Sequence, residues 1–278
     1  MNSIVVGTDF SKGSLVALEI ATHIANKLKT DISLLWVQQA SGLFGMGYDK
    51  QTEELAAHRL QELVAEYSKY MTDGKIHAEI AKGKVSAAIA EKAKKENSPI
   101  IVIGTNGASG FEKYWMGSTA VRIVTESPCP TLTVREGYNF HKTLEKIIVP
   151  LRPNSDNTRQ KVPPAATIAR IFGSTVHLLG LYNVASEANE LRIILDQASQ
   201  YMYKEGVEHT AAIRQVNNYC DEVMKYAEEV KADLLVINTE QDKPLQQLFL
   251  STNAQQIVHK SQIPVLCVHP EDIFNVAR

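Results

Sequence analysis

The run Ile100-Ile101-Val102-Ile103-Gly104-Thr105-Asn106-Gly107 is followed by nine residues, Ala108 to Met116, and then by Gly117-Ser118-Thr119-Ala120. Four β-branched residues ending in a glycine read as a buried strand, and a helix starts at Ser118 on the far side of the loop. The spacing is G-x2-G-x9-G-S. Such a loop suits an anion, because glycines let backbone N–H groups approach closely and a helix start adds orphan donors with a partial positive charge. From the residues alone the stretch predicts an anion site after a strand.

Working outward, strand and helix patterns alternate. Ile4-Val5-Val6-Gly7 is a short strand with Thr8-Asp9 at its carboxyl end, and Ser11 or Ser14 can cap a helix carrying Leu15, Leu18, Ala21, Ile24, Ala25 and Leu28 at helical spacing. A second strand spans Asp31 to Val37, and Ser41 to Gly47 reads as a glycine-rich loop tipped by Leu43, Phe44 and Met46. Glu53 to Met71 reads as an amphipathic helix with Leu55, Leu60, Leu63, Val64, Tyr67 and Met71 on its inner face. Lys75 to Ala81 alternates as a strand, Val85 to Lys95 is an alanine-rich helix, and the Ser118–Thr125 helix leads to a Thr131–Val134 strand. This alternation predicts an open, mainly parallel sheet covered on both faces and doubly wound. Ligands of such sheets bind past the carboxyl ends of the strands, where Asp9, Val37 and Gly104 can meet in one crevice.

From Lys146 the pattern starts again. Ile147-Ile148-Val149-Pro150 matches Ile4-Val5-Val6-Gly7, and Ala232 to Ile237 matches Ser98 to Ile103. Ser261-Gln262-Ile263-Pro264-Val265-Leu266-Cys267-Val268 follows Ser127-Pro128-Cys129-Pro130-Thr131-Leu132-Thr133-Val134 almost position for position. A domain-sized period marks a duplication, not a solenoid. The fold expected is therefore two tandem doubly wound α/β lobes with mainly parallel five-stranded sheets, residues 1–137 and 144–278, joined near Gly137 to Thr143. The glycine motif is not repeated: Asn238, Gln241 and Ser251 replace the three glycines, and Arg152 replaces Asp9. Side chains then project where backbone would meet phosphate, with Glu240 and Asp242 adding repulsive charge. Ser251 and Thr252 read as helix caps, with a small-anion role as the other reading.

The glycine spacing, the terminal Ser118-Thr119 and the tandem architecture resemble the universal stress protein family. The resemblance covers nearly the whole chain, while its specific motif is confined to the first lobe. It implies the adenine nucleotide alpha hydrolase-like fold and an ATP site, with AMP or ADP as other occupants. It places the loop from Gly104 and Thr105 through Gly107 to Gly117, with the Ser118 and Thr119 hydroxyls, around the phosphates. The backbone of Val37 would then meet adenine, and Thr8-Asp9 would lie beside the nucleotide. Asp9 could share a Mg2+ ion with the phosphates, and its other reading is a cap for the following helix. Leu43, Phe44 and Met46 could close over the base or form an ordinary surface loop, and Lys113 reads as a solvated loop lysine, with an approach to a phosphate as its other reading. In the family, single domains pair through their last strands. Thr131–Val134 and Val265–Val268 would then pair within one molecule as an intramolecular pseudo-dimer, with a homodimer as a further expectation.

Bulk properties bound the function. With 278 residues, 44% hydrophobic and 22% charged, the chain can build real cores. A formal net charge of −2 gives no footprint for nucleic acid or an anionic membrane, and no apolar run approaches a membrane span. The start leads straight into a strand without a signal-peptide profile. Three scattered cysteines, Cys129, Cys220 and Cys267, fit reduced thiols in cytoplasm; Cys129, between two prolines, reads as constrained and buried. Lys82-Gly83-Lys84-Val85 lacks the earlier glycine and the following hydroxyl of a P-loop, and neither GxSxG nor HExxH occurs. The reading is an ATP-binding stress-response or regulatory protein that binds without an evident general base. A slow Mg-dependent ATPase or nucleotidyl-transfer enzyme, built on Asp9, and a nucleotide-free interaction scaffold are the alternatives.

Overall fold

The computed structural model describes residues 2–40, 47–105, 117–141, 143–153, 160–239 and 252–269. The chain divides into two compact units, Met1–Phe140 and His141–Arg278. The first contains β1 (Ser3–Gly7), α1 (Lys12–Leu28), β2 (Asp31–Gln38), α2 (Lys50–Tyr67), β3 (Ile76–Lys82), α3 (Val85–Lys95), β4 (Ile101–Gly104), α4 (Ser118–Glu126) and β5 (Thr131–Val134). Its strands lie in the order β3-β2-β1-β4-β5, each pair parallel. Winding runs outward from β1 to β3, then returns to start again at β4, so the switch point lies between β1 and β4.

Burial explains the elements. Ile4, Val5 and Val6 of β1 and Ile101 and Val102 of β4 are fully buried, as central strands covered on both faces require. Edge strand β3 buries Ile76 alone and exposes much of the rest. In α1, Ser11 is the N-cap and accepts from the Ser14 backbone N–H at 3.3 Å, while Lys29 ends the helix in the left-handed conformation. The α2 helix starts earlier than the sequence predicts, because Asp49 caps it by accepting from the backbone N–H groups of Gln51 and Thr52. Its inner stripe is Ala56, Leu60 and the half-buried Leu63, Val64 and Tyr67. Leu55, expected on that stripe, is 69% exposed. It lies five residues before Leu60, about 140° around the helix at 3.6 residues per turn.

At the amino ends of β1 and β2, away from the switch point, Ser3 and Ser33 donate to the Glu96 carboxylate, and Lys92 bridges Glu96 at 2.6 Å and Glu79. Burial alone would raise the Glu96 carboxyl, but the hydrogen bonds from Lys92, Ser3 and Ser33 outweigh it and hold it below its ordinary value.

The second unit repeats the plan with β6 (Lys146–Leu151), α5 (Val162–Phe172), β7 (Thr175–Tyr182), α6 (Ala188–Lys204), β8 (His209–Gln215), α7 (Tyr219–Val230), β9 (Leu234–Asn238), α8 (Thr252–Lys260) and β10 (Val265–Val268). Its strand order is β8-β7-β6-β9-β10, again parallel. The duplication extends to hydrogen bonds. Before β5, the Ser127 hydroxyl accepts from the Cys129 N–H and donates to its carbonyl, and before β10 Ser261 does the same with Ile263. All three cysteines are buried and outside any disulfide.

Candidate functional site

At the switch point of the first unit a cleft of about 660 Å3 opens over the carboxyl ends of β1, β2 and β4 and the start of α4. It brings together Thr8, Asp9, Val37, Gly104, Thr105 and Gly117, and beyond them Ser118 and Thr119. Gly107 and Lys113, and the loop residues Leu43, Phe44 and Met46, lie outside the described residues.

The turn after β1 is tightly specified. Thr8 donates its N–H to Leu35 O at 2.9 Å, its hydroxyl meets Ser14 Oγ at 3.0 Å, and Oγ1 accepts from the Phe10 N–H. Asp9 is exposed, and its Oδ1 accepts from the Ser11 N–H and hydroxyl at 3.0 and 2.5 Å, so the carboxylate braces the start of α1 while standing at the cleft. Phe10 adopts φ +65°, a left-handed conformation that costs a non-glycine residue about 1–2 kcal/mol. Its ring stacks on Trp36 with centroids 6.2 Å apart and lies 5.2 Å beneath the Arg59 guanidinium, contacts that offset the strain.

The two described loop glycines differ in their reasons. A Cβ on Gly104 would lie 2.8 Å from Gly13 C and Ser14 N, so glycine is needed there for α1 to pack against the end of β4. A Cβ on Gly117 would meet only Thr105 O, at 3.6 Å, among the described residues, and its φ of −58° suits any residue. No described protein atom therefore demands glycine at 117, whereas a side chain there would stand in the cleft wall. Thr105 ties the loop's ends together: its N–H donates to Val134 O at 2.9 Å, and its carbonyl accepts from the Gly117 N–H at 2.9 Å. Gly117 is the N-cap of α4 and supplies no side-chain acceptor, so the first-turn N–H groups beside exposed Ser118 and Thr119 face the cleft with the positive end of the helix.

Among the wall residues not singled out from sequence are Gln38 at the end of β2, Asp49 and Thr52 at the start of α2, and Ile89 on α3. Asp49, a favoured N-cap residue type, is a signal that would have placed the helix start there. Among the described residues no group of three His, Cys, Asp or Glu could hold a metal ion, and no helix is long and apolar enough to cross a membrane.

At the corresponding place in the second unit, the described residues line a recess of about 20 Å3. Thr239 repeats Thr105, donating its N–H to Val268 O at 3.0 Å. Buried Asn238 stands where Gly104 does, Arg152 lies 5.6 Å over the Tyr219 ring, and Lys161, only 4% exposed, lines the recess. Residues 152–161 connect β6 to α5, a longer segment than residues 8–11 between β1 and α1. Gln241 and Ser251, the other replaced glycines, and Glu240 and Asp242 lie outside the described residues.

The sequence profile of the universal stress protein family matches residues 1–135 and, a second time, residues 143–269. The chain belongs to that family. A universal stress protein of Methanocaldococcus jannaschii is 32% identical over 138 residues, covering 48% of this chain and 81% of its own length. One from Mycobacterium bovis is 23% identical over 291 residues and covers 95% of this chain and 98% of its own, so the tandem arrangement is shared along its length. Among solved structures, a universal stress protein from Archaeoglobus fulgidus superposes with a TM-score of 0.79 at 18% identity over 97% of this chain and 98% of its own, the same α/β fold.

Proposed function

We propose that this universal stress protein binds one adenine nucleotide per chain, ATP in the cell, in the cleft of its first lobe, and serves as a nucleotide-dependent regulator of a stress response. The observation that carries the reading is the contrast between two copies of one fold. Among the described residues, a cleft of about 660 Å3 lies at the first switch point and a recess of about 20 Å3 at the second. The larger volume falls within the range of small-molecule sites. In this reading the loop from Gly104 to Gly117 and the start of α4 take the phosphates, Ser118 and Thr119 add hydroxyl donors, and the end of β2 at Val37 takes the base. Asp9 is the carboxylate that would share a Mg2+ ion with the phosphates, which supply the other ligands.

The proposal is for binding, not turnover. Asp9 is exposed and already accepts two hydrogen bonds from Ser11, an arrangement that supports a positioning role over general-base chemistry. Protein purified without added nucleotide, denatured and analysed by mass spectrometry, should release ATP, ADP or AMP. Nucleotide-free protein that gives no thermal shift with millimolar ATP would refute the reading and leave the interaction scaffold.

A further inference from the structure

The helices α2 and α6 hold the same place in the two copies, each crossing from the second strand of its unit to the third. Their anchoring differs. α6 buries Leu191, Ile194, Leu195, Ala198 and Met202, whereas α2 buries Ala56 and Leu60 alone. The strand beneath accounts for this. A Cβ on Gly180 of β7 would come within 2.7 Å of Leu195 and 3.2 Å of Leu191, so α6 lies directly on the sheet. Leu35 pairs with Gly7, and Leu179 with Pro150, so the residues that follow them, Trp36 and Gly180, correspond. An indole thus stands in β2 where the second copy has no side chain, and α2 cannot settle as deeply. Polar and aromatic contacts fasten its amino-terminal half instead. Arg59 lies 5.2 Å over the Phe10 ring, which stacks on Trp36. Glu53 pairs with Lys82 at 2.8 Å, and the Asp49 carbonyl accepts from Gln38 Nε2 at 2.6 Å. Exposed ion pairs of this kind contribute little. At the far end a 3-10 turn, Ser68–Tyr70, follows the helix. Beyond it Asn26 of α1 holds the chain twice, donating to Tyr70 O at 2.7 Å and accepting from the Thr72 N–H at 2.8 Å.

Resting on the nucleotide reading of the first cleft, we propose that α2 is a movable wall of that cleft, hinged at Ser68–Tyr70 and closed onto bound nucleotide through the Trp36–Phe10–Arg59 stack. The stack reaches the ligand's place from two sides: Trp36 lines the cleft, and Phe10 follows Asp9, which lines it too. Asp49 and Thr52 bring the start of α2 itself to the same wall. A ligand reaching from α4 to the end of β2 therefore meets α2 when the helix is closed and not when it is open. That difference in contact shifts the helix toward closure. Two buried side chains and exposed fastenings place α2 at the low-stability end of its lobe, where mobile elements are found. The left-handed Phe10, at φ +65°, is a strained residue held by this same stack, beside the ligand's place. α6, seated on Gly180, keeps its position whatever its lobe binds. Occupancy of the first lobe thereby sets the position of one surface helix, a form in which a regulator can display it.

Hydrogen exchange of the intact chain, read by mass spectrometry, tests the movable wall, with ATP binding measured on the same samples by isothermal titration calorimetry. Without nucleotide, peptides from the amino-terminal half of α2 should exchange at least about tenfold faster than those of α1 in the same lobe and those of α6. Saturating ATP should slow α2 by about threefold or more and leave α6 unchanged. Arg59→Ala removes an exposed side chain and keeps the core. It should speed exchange of α2 in the ATP-bound protein while leaving α1 unchanged. Phe10→Gly, which relieves the left-handed turn as it removes the ring, should do the same. ATP that binds without slowing α2 would overturn the movable wall and leave the nucleotide site standing. So would α2 exchange as slow as that of α1 in the free protein, or α2 exchange unchanged in both variants. Absence of ATP binding would overturn the site and the wall with it.

Discussion

Gly104 and Gly117 belong to the same motif, yet the structure predicts opposite consequences for replacing them by valine. At Gly117 the added Cβ meets only Thr105 O, at 3.6 Å, among the described residues, and φ −58° with ψ 146° is ordinary extended backbone. The protein's own cost is the poorer N-cap, about 1 kcal/mol. At Gly104 the Cβ falls 2.8 Å from two backbone atoms of α1, and neither can move without shifting the helix, so the overpacking costs about 1–3 kcal/mol or more. The ligand adds the second axis. If ATP is present at about a thousandfold above its dissociation constant, it stabilises the lobe by about 4 kcal/mol. At about 2–4 °C per kcal/mol for a lobe of this size, that is roughly 10 °C in the midpoint of the first thermal transition. Differential scanning fluorimetry with and without ATP reads both axes. Gly117→Val should melt within about 4 °C of wild type without nucleotide and lose most of the ATP shift. Gly104→Val should melt well below both variants even without nucleotide. A full ATP shift in Gly117→Val would refute the argument that this glycine serves the ligand. A Gly104→Val protein as stable as wild type would refute the packing argument.

Three further outcomes follow from the same geometry. Asp9→Ala should cost about 0.5–1 kcal/mol through the lost brace on α1, and should weaken the ATP shift more in Mg2+ than in EDTA; equal losses in both would remove Asp9 from the metal's surroundings. The folded Glu96 carboxyl lies below its ordinary 4.5, so its contribution is complete above that pH and is lost as pH falls through the folded value. Denaturant titrations should therefore show stability declining on acidification below about pH 4.5, less steeply in Glu96→Gln, and parallel profiles would contradict the network. All three cysteines are buried, and burial pushes the Cys267 thiol up to about 12. Ellman's reagent should find no promptly reacting thiol in the native protein and three in denaturant; a fast native reaction would contradict the packing.

Much of the fold was legible because its signals are local. Ile4 to Gly7 and Ile101 to Gly104 are β-branched runs long enough only for buried strands, and the α3 and β5 boundaries agree with the structure residue for residue. The duplication was legible for the same reason, down to the serine that organises each final turn. Leu55 misled because an apolar residue near a helical stripe looks like part of it, and only the stripe through Ala56, Leu60 and Val64 shows that it lies outside. In the site, strand ends identified Asp9, Val37 and Gly104 as cleft residues, but the wall formed by α2 and α3 depends on how crossovers pack back onto the sheet. Ile89 therefore had no sequence signal of its own, while Gln38 extends β2 by one residue past the strand end expected at Val37. The two reasons for glycine at 104 and 117 could not be separated either, since a Cβ clash with Gly13 is a contact across most of the lobe.

In the function proposed, the fold was duplicated while nucleotide binding is retained only in the first lobe. Native mass spectrometry of the intact chain titrated with ATP counts the sites. Binding should saturate at one nucleotide per chain and be abolished by Gly117→Val. Two nucleotides per chain, or one that persists undiminished in Gly117→Val, would contradict it.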